Sequence, residues 1–128
     1  MIMSTKTANK ILIVDDDEGI TETMADIFRE FDLHVETANS GEKALSLFES
    51  NKYSMVFMDI RMPGMSGVET FKKMKRINPS IPVSLMTAYV VDEIVEEAKR
   101  EGIFEIYYKP IEISALIQDI KNTLNFKN

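Results

Sequence analysis

The sequence predicts an α/β protein, (βα)5, in which a five-stranded parallel sheet is doubly wound with helices on both faces. Three observations predict it. Five short apolar runs alternate with five helical patterns along the chain. Several of the runs are apolar almost throughout, as in parallel strands that are covered on both faces. With 128 residues, 45% of them hydrophobic, the chain has the length of one domain with a single core.

The apolar runs place the strands, which we predict at 10–14 (KILIV), 34–38 (HVETA), 53–58 (YSMVFM), 82–87 (PVSLMT) and 104–108 (FEIYY). Strict alternation with helices implies right-handed crossovers between parallel strands. In such a sheet, ligands collect at the carboxyl ends of the strands. The residues that follow each strand are therefore the first place to look for a functional site.

The helical patterns each carry one apolar stripe. The stripes are Ile20, Met24, Ile27, Phe28 and Phe31; Ala44, Leu47 and Phe48; Val68, Phe71, Met74 and Ile77; Val91, Ile94, Val95 and Ala98; and Leu116, Ile120 and Leu124. The third helix has the best-marked start, because "SGVE" has Ser66 and Glu69 at the spacing of a capping box. The fourth is predicted to end at Gly102.

Composition excludes several classes of protein. The net charge is −6, so no overall basic field favours nucleic acid. The absence of cysteine excludes disulfides and thiolate metal sites, and no apolar run has the length of a membrane span. We expect a cytoplasmic protein in which residues 1–9 form a flexible lead-in, 10–125 the domain and 126–128 a tail.

Acidic residues follow two of the predicted strands. The first strand, in "ILIVDDDEGI", is followed by Asp15 and Asp16, and the third is followed by Asp59. Carboxylates that converge on one edge suit Mg²⁺ or Mn²⁺. Each also has a simpler interpretation: acidic residues after a strand begin a helix, where the dipole favours them, and Asp59 is a turn residue before the Pro-Gly loop.

Thr87 follows the fourth strand and Lys109 the fifth, so both belong to the same edge. A carboxylate beside a divalent cation can act as a nucleophile toward a phosphoryl group. Lys109 and Thr87 would supply a further charge and a hydrogen bond. Taken singly, the threonine is an ordinary strand residue and the lysine a solvated strand end. Their joint occurrence in this order is what indicates phosphoryl transfer.

Four ordered motifs, "ILIVDDDEGI", "MDIRMPGMSG", "SLMTA" and "YYKP", resemble the receiver domain of two-component response regulators of the chemotaxis type. The resemblance covers about residues 9 to 124 and implies a flavodoxin-like fold. It implies that Asp59 accepts a phosphoryl group from a partner histidine kinase or phosphotransfer protein in a Mg²⁺-dependent (or Mn²⁺-dependent) reaction. It implies a signalling domain, with intrinsic autophosphorylation and autodephosphorylation, rather than an enzyme. The domain would then act on a downstream protein or an output domain, with a phosphorylation-dependent dimer as one form.

The resemblance also implies roles for individual residues. Asp15 and Asp16 match the metal-binding acidic pair, and Arg61 would lend its backbone carbonyl to the metal. Thr87 matches the hydroxyl residue that bonds the phosphoryl group, and Lys109 the lysine that pairs with it. The bond from Lys109 to Pro110 is expected to be cis.

The sequence departs from the family at one position, where Ile106 replaces the usual aromatic switch residue three positions before the lysine. A shift of population in the fourth helix and fifth strand would then replace the rotation of a ring. Arg61 and Tyr89 lie two residues after Asp59 and Thr87, respectively, so both are predicted to rim the phosphoryl pocket. We expect the ring of Tyr89 to screen the aspartyl phosphate from water.

Two other functions stay open at this point. "DDDEGI" also fits the D-x-D motif of a haloacid-dehalogenase-like phosphatase, with Asp15 as nucleophile and Asp17 as acid/base. The chain has little room for that family's cap and later acidic motif, and Asp59 and "KP" would go unexplained. The other alternative is a receiver-like interaction module that is never phosphorylated, which the intact acidic pair, aspartate, threonine and lysine argue against.

Overall fold

The computed structural model describes residues 10–88 and 93–124. In chain order the elements are β1 (Lys10–Val14), α1 (Glu18–Arg29), β2 (His34–Ala38), α2 (Gly41–Ser50), β3 (Met55–Asp59), α3 (Gly67–Ile77), β4 (Val83–Thr87), α4 (Glu93–Arg100), β5 (Glu105–Tyr108) and α5 (Ile113–Leu124). All strand pairs are parallel, in the order β2-β1-β3-β4-β5. The predicted fold class is confirmed.

The sheet separates two apolar cores, as a doubly wound sheet requires. On one face, α2, α3 and α4 contribute Phe48, Phe71 and Val95 to a core built on β1, β3 and β4. On the other, α1 and α5 bring Phe28 and Ile117 against the alternate residues of the same strands. The central strand β3 is buried throughout, which explains why its sequence is apolar rather than alternating.

Three strands differ from the prediction by one or two residues at their ends. β3 runs over Met55–Asp59 instead of 53–58, because pairing with β4 continues through Asp59. β4 begins at Val83 rather than residue 82, where proline has no amide hydrogen to donate to the sheet. β5 begins at Glu105 rather than residue 104, since its pairing with β4 starts there.

The helix starts and ends follow local signals in the sequence. The capping box at α3 is present in both directions, with Ser66 Oγ accepting from the Glu69 amide and Glu69 Oε1 accepting from the Ser66 amide. Gly102, just after α4, has φ +91°, a left-handed conformation that favours glycine. These two signals confirm the predicted ends.

Some predictions fall outside the described residues: the lead-in over 1–9, the whole of the predicted tail over 126–128, and the residues Tyr89 and Val91. Among the residues that the structure does describe, none of the helices is long and apolar enough to cross a membrane.

Candidate functional site

The sheet brings two of the predicted carboxylates side by side. Val14 of β1 pairs with Met58 of β3, so Asp15 and Asp59, the next residues, occupy neighbouring positions at the carboxyl edge. Both residues are buried, at 1% and 7% exposure, while Asp16 is exposed. Oxygen atoms of the three carboxylates lie within 4.8 Å of one another. The acidic cluster expected from the sequence is therefore present, and we use that name for Asp15, Asp16 and Asp59.

Lys109 provides the positive charge that so many carboxylates require. Its Nζ lies 2.7 Å from Asp59 Oδ1 and 3.2 Å from Asp15 Oδ2. Its backbone amide donates to the carbonyl of Thr87 at 2.7 Å, which ties the end of β5 to the end of β4. The bond to Pro110 is cis, as the resemblance implied. Thr87 itself is buried at the same edge.

The electrostatics of the cluster favour bound positive charge. Burial raises the pKa of Asp59 above its ordinary value, and the neighbouring charges of Asp15 and Asp16 add to that rise, while Lys109 opposes it. Burial disfavours the charged form of Lys109, but its contacts with Asp59 and Asp15 outweigh this and raise its pKa. One lysine thus faces three carboxylates. Two of the carboxylates are held close to it, and the third is left at the solvent side.

This donor set fits a small hard cation. Carboxylate oxygens are the ligands that Mg²⁺ and Mn²⁺ prefer, and the exposed position of Asp16 leaves the cluster open to water, which such cations retain. Arg61 follows Asp59 by two residues and is exposed in the loop after β3. Its backbone carbonyl is a ligand only by the resemblance, and that role stays a prediction.

Asp17 has a different task from its two neighbours. Its Oδ1 accepts a hydrogen bond from the Ile20 amide at 3.2 Å, which caps the amino end of α1. Its own amide donates to Asp15 Oδ1 at 3.0 Å. The helix-capping interpretation that we considered for the acidic run is correct for Asp17. The structure does not place it among the oxygen atoms of the acidic cluster.

Ile106 and Tyr107 of β5 lie on opposite faces of the sheet. Ile106, at the family's switch position, is half-buried against the core that contains Val95 and Ala98 of α4. Tyr107 points to the opposite face, where its ring lies 6.0 Å from that of Phe57 and its hydroxyl donates to Asp119 of α5 at 2.7 Å. A ring is therefore present beside the switch position, but it joins β5 to α5 rather than to α4.

Gly67 is a positioning residue that the sequence analysis missed. A Cβ at this position would lie 2.3 Å from the backbone oxygen of Asp59, a distance that no side chain tolerates. The Gly67 amide also donates to the carbonyl of Ile60 at 2.8 Å. The first turn of α3 thus packs directly on the backbone of Asp59. The sequence signal was the glycine in "MSG". Only the folded structure shows that this glycine allows the backbone of α3 to approach that of Asp59 closely.

Comparison with known proteins agrees with this arrangement. The family model for the response regulator receiver domain matches residues 11–121. Sporulation initiation phosphotransferase F of Bacillus subtilis is 34% identical over 119 residues, which are 93% of this chain and 96% of that protein. Regulatory protein AtoC of Escherichia coli is 36% identical over 94% of this chain. The chain spans less than half the length of several curated relatives that it matches, and 26% of AtoC.

A solved structure extends the likeness to three dimensions. The response regulator TrrA of Thermotoga maritima, in complex with Mg²⁺-BeF, superposes with a TM-score of 0.81 at 30% identity and covers 90% of this chain and 98% of its own. The family match spans nearly all the described strands and helices, including every member of the acidic cluster. Together these findings establish that the chain belongs to the response regulator receiver domains of two-component systems.

Proposed function

We propose that Asp59 accepts a phosphoryl group from a phosphohistidine on a partner protein, in a reaction that depends on Mg²⁺ or Mn²⁺. The observation that carries this proposal is the position of the Asp59 carboxylate. It is buried, it contacts Lys109 Nζ at 2.7 Å, and it lies within 4.8 Å of two further carboxylates. That geometry places a nucleophile beside one lysine and beside two carboxylates that, with it, could hold a divalent cation.

In the proposed reaction, a carboxylate oxygen of Asp59 attacks phosphorus while the bond from phosphorus to the histidine nitrogen breaks. The donor leaves as a neutral histidine after taking a proton from water. Lys109 turns from Asp59 to the incoming phosphoryl oxygens, and the Thr87 hydroxyl donates to another of them. A bound divalent cation would neutralise the remaining charge on these oxygens. Asp15, Asp16 and the Arg61 carbonyl would hold it.

The surface beside Lys109 supports a helical donor. A groove of about 540 Å³ lies between α1 and the loop after β5, and Ile20, Met24, Pro110 and Ile111 line it. Its apolar character suits the face of an amphipathic helix, and Lys109 lies at its rim. A helix that docked here would bring a histidine next to the edge where Asp59 lies. A sensor kinase or a phosphotransfer protein offers such a helix.

Phosphorylation would then change the contacts of the β4 and β5 ends, because Thr87 and Lys109 bind the new group. Ile106 packs against the core that includes residues of α4. It would therefore transmit the change to α4, in place of a rotating aromatic ring. The signal would pass to a partner protein or to an output domain in the same protein.

The decisive experiment uses a small phosphodonor, so that no kinase is needed. The protein is incubated with Mg²⁺ and acetyl phosphate, and the intact mass is measured with and without EDTA. We expect one added phosphoryl group in Mg²⁺ and none in EDTA. Asp59→Asn should abolish the addition, while the matched variant Asp17→Asn, which removes one charge at a helix cap outside the acidic cluster, should retain it.

Two outcomes would contradict the proposal. If Asp15→Asn abolished the added mass and Asp59→Asn did not, the phosphatase-like chemistry would be favoured. If the folded protein bound Mg²⁺ and still gained no mass from any phosphodonor, the chain would be an interaction module that works without phosphorylation.

A further inference from the structure

A second groove lies at the opposite edge of the sheet, away from the proposed phosphorylation site. It has a volume of about 240 Å³ and lies between the end of α3, the start of β4 and the turn before β5. We call it the amino-edge groove. Its apolar lining consists of Phe71, Pro79, Ile81, Pro82, Val83 and Phe104.

Phe104 is the unusual member of this lining. Its amide donates to the carbonyl of Val83 at 2.9 Å, which fixes its backbone beside the first residue of β4. Its side chain nevertheless stays at the surface, with 49% of the residue exposed. Covering an aromatic ring is favourable in proportion to the apolar area removed from water. The exposed ring of Phe104, on a backbone held by this hydrogen bond, therefore gives the groove an apolar surface that a bound side chain would cover.

The rim of the groove is positively charged. A neighbouring recess of about 440 Å³ shares Lys75 and Pro79 with the groove and adds Lys72, Arg76 and Glu101. Lys72 forms an ion pair with Glu97. Lys75 donates instead to the backbone carbonyl of Glu101 at 2.5 Å, and Arg76 is exposed without an ion pair in the described ranges 10–88 and 93–124. Among the residues that the structure describes, neither Lys75 nor Arg76 forms an ion pair with a carboxylate, so both cations remain available at the rim.

A structural role accounts for part of this arrangement. Cations in the last turn of a helix complement its dipole, and both Lys75 and Arg76 are in the last turn of α3. Lys75 also satisfies a carbonyl at the end of α4. Neither point explains why Arg76 lines a recess next to an apolar groove that contains an exposed phenylalanine, nor why this rim is basic in a chain of net charge −6.

We propose that the amino-edge groove binds an acidic segment of a partner protein. One bulky apolar side chain of that segment would pack on Phe104, and its carboxylates would face Lys75 and Arg76. The net negative charge of the rest of the chain would repel such a segment elsewhere and favour this rim. Because the groove and the acidic cluster lie at opposite edges of the sheet, both could be occupied at once.

The test uses a defined probe, a fluorescein-labelled peptide of alternating glutamate and serine with one leucine at its centre. Its binding is followed by fluorescence anisotropy at low and high salt. Arg76→Glu and Phe104→Ser should each weaken binding by about tenfold or more. The matched variants Lys52→Glu and Phe31→Ser, which make the same changes at exposed positions elsewhere, should leave it within about twofold. Added salt should weaken the wild-type complex.

Amide chemical shifts locate the site independently, and we expect the changes at residues 79–83 and 101–104. Equal binding of a peptide with lysine in place of glutamate would overturn the proposal, as would equal losses in the control variants or shift changes confined to another face. Self-association of the wild type that Phe104→Ser prevents would also overturn it, since the occupant would then be a second copy. Phosphorylation from acetyl phosphate should be unchanged in Arg76→Glu, so the two proposals fail separately.

Discussion

A lysine pairs with carboxylates at each edge of the sheet, and the two pairs have different surroundings. At the amino edge, Lys10 contacts Glu36 at 3.2 Å, and Tyr53 also donates to that carboxylate. At the carboxyl edge, Lys109 is shared by Asp59 and Asp15, with Asp16 close by. The side chains of the two lysines are equally exposed, at 25% and 24%.

The two edges differ in how exposed their carboxylates are. The Glu36 side chain is 39% exposed, whereas those of Asp15 and Asp59 are 2% and 10% exposed. A hydrogen bond from Tyr53 lowers the pKa of Glu36, with Lys10 contributing, while burial and like charge raise the pKa of Asp59. The amino edge is thus a satisfied structural contact. The carboxyl edge holds more negative charge than its own lysine compensates, which is the condition for binding a cation.

The largest expected effect comes from removing each lysine. Lys109→Met leaves two buried carboxylates without the lysine that pairs with both, so we expect it to lower the free energy of unfolding by about 3 kcal/mol without Mg²⁺. Lys10→Met breaks a partly exposed pair and should cost less than about 1 kcal/mol. Urea unfolding in EDTA measures both. Similar losses in the two variants would remove the distinction between the edges.

The next effect is stabilisation by metal. A ligand that binds only the folded state at ten times its Kd adds about 1.4 kcal/mol, so Mg²⁺ should raise Tm in the wild type. The gain should shrink in Asp16→Asn and persist in Glu22→Gln, an exposed carboxylate on α1. A melting curve that does not change across millimolar Mg²⁺ would argue against a cation site at the acidic cluster.

The pH dependence of stability should have opposite signs at the two edges. Because its pKa is raised, Asp59 holds its proton more tightly in the folded state, so its contribution to stability falls as pH rises from the ordinary carboxyl range through the raised value. Glu36, with a lowered pKa, contributes stability above the ordinary range that is lost as pH falls through the lowered value.

Variants at the two positions separate these contributions. In EDTA at neutral pH, Asp59→Asn should stabilise the protein by about 1 kcal/mol, or roughly 3 to 5 °C in Tm. Glu36→Gln should destabilise it there and lose its effect in acid. Unfolding curves between about pH 3 and pH 7 provide the measurement. If Asp59→Asn destabilised the protein instead, Lys109 would fully compensate the negative charge of the acidic cluster.

The smallest effect concerns conformational change. Binding of Mg²⁺ with beryllofluoride, a phosphoryl mimic, should shift amide resonances at Thr87 and Lys109, in α4 and around Ile106 in β5. Resonances of Lys10, Glu36 and Tyr53 should stay in place. If the changes stopped at the residues that touch the mimic, the proposed backbone route through Ile106 would be wrong.

Much of the fold and of the candidate site could be predicted from the sequence, because the strands and helix starts depend on local patterns of residues. Apolar runs placed the five strands within two residues, and the spacing of Ser66 and Glu69 identified the start of α3. The acidic cluster followed from topology alone, since parallel strands put their carboxyl ends at one edge. A wrong choice at β1 or β3 would have separated Asp15 from Asp59.

Other features depend on contacts that no local pattern encodes. Asp15, Asp16 and Asp17 are chemically identical in the sequence, yet one is buried, one faces solvent in the cluster and one caps α1. The bond from Tyr107 to Asp119 requires the packing of α5 on the sheet. These roles are set by the distance between elements, which only the folded chain supplies.

The most direct test of the central claim identifies the phosphorylated residue chemically. Protein phosphorylated with acetyl phosphate in Mg²⁺ is treated with borohydride, which reduces an aspartyl phosphate to homoserine, and the peptides are sequenced by mass spectrometry. Our account predicts homoserine at position 59, and none at positions 15, 16 or 17. Homoserine at position 15 with aspartate retained at position 59 would contradict it.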